Sequence, residues 1–147
     1  MEKLFRKLFP SKEMREYNRM YRRHRRELVK LAKETREWDY SWLYRSIIMQ
    51  IKHMHEYYSN GNNVWQVDES RLEIVEQLQH ILDLNDELGN RLDDCCGIEL
   101  VYEDDKVVGY NSPDDFLERY KENEKRIQEL YEEIYSSIGK HIQCWWD

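Results

Sequence analysis

Several signatures of enzymes, metal centres and membrane proteins are missing from this chain. Its five glycines fall in neither a GxGxxG nor a GxxxxGK spacing, so no phosphate-cradling loop is written into it. Three cysteines, with Cys95 and Cys96 adjacent and no CxxC or Cys/His cluster of zinc spacing, make no disulfide framework and read as reduced thiols. Cys95-Cys96-Gly97 has no histidine nearby in sequence and no recognisable surround. A thiolate nucleophile can draw a histidine from elsewhere in the fold, which leaves an enzyme using Cys95 or Cys96 as a third reading. The Glu-x-x-His pairs of a di-iron helical bundle do not occur. His53-Met54-His55-Glu56 is the one local cluster, and side chains two apart on a helix point to different sides. No catalytic residue, metal site or cofactor is therefore expected. No apolar run reaches the ~20 residues that cross a bilayer, and the opening MEKLFRKLFP lacks the apolar core of a signal peptide. A cytoplasmic protein is expected.

What the chain does have is charge, unevenly spread. The formal net charge is -7, yet residues 1 to 36 hold 13 Lys and Arg against 5 acids, a balance of +8. The remaining 111 residues hold 10 bases against 25 acids, a balance of -15. Such asymmetry points to nucleic acid, a membrane surface or an acidic partner, and the nearest acidic partner is the chain's own body. At 147 residues the chain suits one domain, read as 1–147 with an N-terminal arm at 1–10 and an insertion at 98–111.

Ser11 can cap a helix that carries Glu13 in its first turn. Met14, Tyr17, Tyr21, His24, Leu28, Leu31 and Thr35 then step by threes and fours, which keeps one stripe on one helix face. Asp39 is the expected N-cap of a second helix running to Tyr58, with Leu43, Tyr44, Ile47, Ile48, Ile51, Met54, His55 and Tyr58 on a broad inward face. Ser59-Asn60-Gly61-Asn62-Asn63 supplies the stop, and Trp65 in the following loop is expected to plug the end of the core. Asp68 or Ser70 opens a third helix, with Leu72, Val75, Leu78, Ile81, Leu82 and Leu88 inward and an end near Gly89. The run IELVYEDDKVVGY reads as a small hairpin around Asp104-Asp105. Ser112-Pro113-Asp114-Asp115 then signals a fourth helix, with Ser as N-cap and Pro at the first helical position. Its inward positions are Phe116, Leu117, Tyr120, Ile127, Leu130, Tyr131, Ile134, Ile138, Ile142 and Trp145, with Gly139 a point of interruption. The expected fold class is mainly all-α: an antiparallel four-helix bundle with a small irregular or hairpin insertion near 98–110.

Two surfaces invite a partner. In YRRHRRELVK, Arg22, Arg23, Arg25 and Arg26 project from successive positions around a helix and cannot all face an acidic body. They are the candidate anion-binding residues, since guanidinium suits phosphate, although a solvated face is the ordinary meaning of such a run. The sequence ends in HIQCWWD. Adjacent helical positions differ by about 100°, so Trp145 and Trp146 are not equally buried; Trp145 is assigned to the core, and Trp146 with Asp147 to a partner. Leu4, Phe5, Leu8 and Phe9 beside Lys3, Arg6 and Lys7 make a short amphipathic arm, expected to dock on the protein or on another subunit rather than on a membrane. A homodimer through the first helix stays open, because its stripe packs as readily between chains as within one.

Trp38-Asp39-Tyr40-Ser41-Trp42-Leu43, followed at helical spacing by Ile47, Met54 and Tyr57/Tyr58, and then Trp145-Trp146-Asp147, resemble a group of small uncharacterised bacteriophage-encoded proteins. Members pair a Trp-Asp-aromatic helix start with a chain-ending Trp-Trp-Asp. The resemblance rests on two short motifs, about 25 of the 147 residues. It implies a phage accessory protein, acting in the host cell cytoplasm, and brings no activity with it. The expected function is a non-enzymatic binding protein that engages a host or phage protein through Trp38, Trp42, Trp146 and Asp147. Inhibition of a host defence component is one form of that role. The alternative is a nucleotide or nucleic-acid binder using the arginine-rich first helix.

Overall fold

In a computed structural model of the chain the described residues are 11–34, 40–60 and 69–145. The N-terminal arm, Trp38, Asp39, the Gly61-Asn62-Asn63 turn, Trp65, Asp68, Trp146 and Asp147 lie outside them, and with them the roles expected of those residues. The described residues form four helices, α1 (Lys12–Glu34), α2 (Tyr40–Ser59), α3 (Glu69–Asp93) and α4 (Phe116–His141). A two-stranded antiparallel sheet, β1 (Glu99–Glu103) and β2 (Lys106–Asn111), lies between α3 and α4 in sequence. The mainly α class with a hairpin insertion is as the sequence led us to expect. The chain divides into two compact units, Met1–Leu82 and Asp83–Asp147, with the boundary inside α3.

In the first unit, Ser11 caps α1 as its chemistry predicts: its Oγ accepts the Met14 N–H at 3.2 Å. α1 and α2 run antiparallel, because successive partners move in opposite directions along them. Tyr17 meets Tyr57, His24 meets Glu56, Glu27 meets His53 and Glu34 meets Arg45. The expected α1 stripe is buried at His24 and Leu31, whereas Met14, Tyr17 and Tyr21 are exposed. α2 buries Ile48, Ile51 and His53 but leaves Leu43 exposed, and α3 buries Leu78 and Ile81 but leaves Leu72 exposed. Buried Arg71 finishes α2: its Nε and Nη2 donate to the carbonyls of Tyr58 and Asn60 at 2.6 and 2.8 Å, acceptors that a helix end leaves open.

In the second unit, α3 continues through Gly89 to Asp93 instead of ending at the glycine. Leu88 is buried beside it, and Asn123 of α4 donates to the Arg91 carbonyl at 2.9 Å. These contacts hold the last turn against the ~1 kcal/mol by which glycine disfavours a helix interior. α4 runs antiparallel to this end of α3, with Asn123 opposite Arg91 and Arg126 opposite Glu87. α4 starts at Phe116, later than the Ser-Pro signal predicts, and Asp115 takes the N-cap position without a side-chain cap bond. The Asp115 carboxylate accepts from Arg119 Nε at 2.8 Å instead, and the Phe116 N–H closes a turn onto Pro113 O at 3.1 Å. Gly139 does not interrupt the helix, whose hydrogen bonds continue to Ile142 N–H on Ile138 O at 2.9 Å. Leu130, Ile134, Ile138 and, in the turn that follows, Trp145 are buried; Leu117, Tyr120 and Ile142 are not.

Candidate interaction surfaces

Four charged or imidazole side chains join α1 to α2 in a reciprocal clasp. His24 and Glu27 stand one turn apart on α1, as do His53 and Glu56 on α2. His24 Nε2 donates to Glu56 Oε2 and His53 Nε2 to Glu27 Oε2, both at 2.8 Å. The imidazoles stack, with centroids 3.7 Å apart and planes within 5°. A carboxylate only accepts, so each imidazole carries its proton on Nε2. Burial, helped by the charge of neighbouring His24, holds His53 below the ordinary imidazole range, with Glu27 acting in the opposite direction. Burial raises Glu56, but hydrogen bonds from Arg23 and His24, and their charge, bring it net below the usual carboxylate value. The signal for this clasp was a His-x-x-Glu repeat, His24 to Glu27 and His53 to Glu56, which a search for Glu-x-x-His passes over. With each Nε2 spent on a different carboxylate, the imidazoles do not converge on one point. Among the described residues no group of three or more His, Cys, Asp or Glu is placed to hold a metal ion.

The clasp sorts the candidate anion-binding arginines. Arg23 is drawn to the clasp, bonded to Glu56 and 3.8 Å from Glu27. At 100° per residue, Arg22 and Arg26 join Arg15 and Arg19 in one row spanning about 60° of α1, opposite buried His24 and Leu31. Arg25 is exposed outside the row. Arg15, Arg19, Arg22 and Arg26 line a hollow of about 390 Å³ together with Asn18. Within the first unit the described acids therefore neutralise only part of α1. Among the described residues Arg23 and Lys30 pair with carboxylates, and none of the four row arginines does.

The hairpin is the other unusual surface. Asp104 and Asp105 have φ of 48° and 59°, the two positive values of a type I′ turn, whose twist matches that of the strands it joins. Leu100 faces Tyr110 and Tyr102 faces Val107 across the sheet, with Val108 bulged out of register. Opposed residues share a face, so one face carries Leu100, Tyr102, Val107 and Tyr110, which are 52%, 60%, 55% and 70% exposed. The reverse face pairs Glu99 with Asn111, Val101 with Gly109 and Glu103 with Lys106. Both faces of the hairpin are exposed, so the apolar side, which normally packs on a core, is uncovered as well.

Of the tryptophans expected to meet a partner, Trp42 is half-buried on α2 and its carbonyl accepts from Ser46 Oγ at 2.7 Å. Trp38, Trp146 and Asp147 lie outside the described residues. Cys96 is buried in the turn after α3, where desolvation, then the charge of Asp94, pushes its thiol above the ordinary range. That is the opposite of the depressed value that arms a cysteine nucleophile. No described helix is long and apolar enough to cross a membrane. Compared with protein-family models, with curated proteins and with solved structures, the chain matches none of them.

Proposed function

We propose that the chain is a non-enzymatic binding protein that engages a partner protein, with the β1–β2 hairpin as the docking element. The observation that carries this reading is the exposed apolar face of Leu100, Tyr102, Val107 and Tyr110. An isolated two-stranded hairpin is marginal in water, and a contiguous apolar patch on a surface marks an interaction site. Charge selects the partner. Residues 83 to 115 hold 11 acids against Arg91 and Lys106, a balance of -9, so a phosphate backbone is repelled and an apolar surface rimmed by Lys and Arg is attracted. A second copy fits less well. Antiparallel pairing of two β1 edges sets Glu99 opposite Glu103, a destabilising like-charge pair, while the Val108 bulge blunts the β2 edge. A host or phage protein with a basic, apolar patch is the partner this reading requires. Inhibition of a host defence component is one form of such a role in a phage accessory protein, and a virion accessory role is another.

Selection of a random displayed library of ~12-residue peptides on the full chain tests it. Enriched peptides should combine aromatic or β-branched residues with Lys or Arg, and their affinity should fall at least tenfold in Tyr102→Ser/Tyr110→Ser. Both side chains are exposed, so that variant should keep its helical circular dichroism. Acidic peptides, or peptides indifferent to the substitutions, would reject the hairpin. Concentration-dependent self-association abolished by the same substitutions would assign the face to a second copy instead.

A further inference from the structure

Row arginines Arg15, Arg19, Arg22 and Arg26 form a second surface, remote in chemistry from the hairpin and independent of its role. They recur at intervals of four, three and four residues, so like charges neighbour one another at the spacings where they repel. A sequence could relieve that repulsion with a glutamate at i+4, as Lys30 is relieved by Glu34 at 3.6 Å. The row has no such relief among the described residues. Its countercharge comes from outside the row, and the choice of arginine indicates which anion: the guanidinium fork binds phosphate oxygens in pairs, whereas lysine offers only a point charge. The row rises about 16 Å along the helix axis at 1.5 Å per residue, against 3.4 Å per phosphate along one strand of a duplex. No aromatic ring interrupts it; Tyr17 instead turns its ring edge-on to Tyr57 of α2, with centroids 6.0 Å apart. A single-strand binder needs such rings as base-stacking platforms, and none stands in the row.

We propose that the outward face of α1 binds the phosphate backbone of double-stranded nucleic acid without reading its sequence, through Arg15, Arg19, Arg22 and Arg26. Contacts of this kind position a protein on a duplex and carry no base information. Their strength falls with salt because releasing condensed counterions gains less free energy as bulk salt rises. Fluorescence anisotropy of two unrelated 20-base-pair labelled DNA duplexes with the full chain tests this. Both duplexes should bind alike, with Kd on the order of 10⁻⁵ M at low salt. Raising salt from 50 to 200 mM should weaken binding on the order of 10²-fold, the slope expected for about four neutralised phosphates. Replacing all four arginines by Gln, a good helix former, should abolish measurable binding while circular dichroism is unchanged. Lys121→Gln/Lys125→Gln on α4, which removes charge elsewhere, should leave binding unchanged. Absence of binding at 50 mM salt, or equal loss in the α4 variant, overturns the proposal. So does capture of labelled poly-glutamate in preference to duplex, which would assign the row to an acidic protein, and so does preference for single-stranded over duplex DNA.

Discussion

Helix α1 and the segment from the end of α3 through the hairpin are opposites in both charge and mode of exposure. α1 carries nine basic residues against four acidic ones, while residues 83 to 115 carry two against eleven. On α1 a charged row is exposed and buried His24 and Leu31 lie opposite it, while Met14, Tyr17, Tyr21 and Val29 are exposed as well. On the hairpin the apolar residues are exposed, and the acids surround them. The contrast means that the ligand proposed for each surface is electrostatically disfavoured by the other. The row's positive charge suits the proposed phosphate and the hairpin's negative charge opposes it, and for a basic, apolar protein patch the signs are reversed. Electrostatic complementarity of this kind acts on partner choice and on encounter rate more than on fold.

The largest expected effect separates the hairpin face from a true core in the same unit. Leu130→Ala, at a fully buried position of α4, should lower the free energy of unfolding in urea by about 2 to 5 kcal/mol. Tyr110→Ser, on the exposed face, should change it by no more than about 0.5 kcal/mol. A Tyr110→Ser cost approaching that of Leu130→Ala would mean that the hairpin face packs in the free protein, and the contrast with α1 would collapse.

A middle-sized effect concerns the clasp behind the arginine row. His53 is held below the ordinary imidazole range, so the unfolded chain takes up its proton first as pH falls below about 6.5. Stability is then lost on acidification, because the state binding more protons is the unfolded one. Glu56, also depressed, acts in the same direction once pH falls below the ordinary carboxylate range. Urea midpoints at pH 7.5 and 5.5 should show the drop, and His53→Gln should reduce it. A midpoint that rises at pH 5.5 would mean that a charged imidazole is favoured in the stack.

The smallest effect sharpens the charge contrast without disturbing the strands. Asp104→Asn/Asp105→Gly places the favoured type I′ pair where both φ values are already positive, and should stabilise the chain by about 0.5 kcal/mol. It also removes two acids from the rim of the hairpin. Selected basic peptides should therefore bind more weakly and with less salt dependence, although the apolar face is intact; unchanged affinity would mean that the acids take no part in partner choice.

Sequence alone made the four helices and the hairpin legible, since each rests on local chemistry: threes-and-fours spacing along α1 to α4, a Ser11 cap, and two β-branched runs around Asp104-Asp105. Where local rules failed, a competing contact had won. Gly89 stays helical because Leu88 is buried and Asn123 holds Arg91; at the start of α4 the competing contact is itself local, Asp115 giving its carboxylate to Arg119 one turn on. The surfaces were only half visible. Arg22 and Arg26 could be named from the sequence, but their row with Arg15 and Arg19, and the removal of Arg23 from it, depend on Glu56, 33 residues away. Likewise the residues of the hairpin could be read, but not that Leu100, Tyr102, Val107 and Tyr110 would be left uncovered. Periodicity states which residues share a face, and only the packing of distant segments decides whether that face meets protein or water.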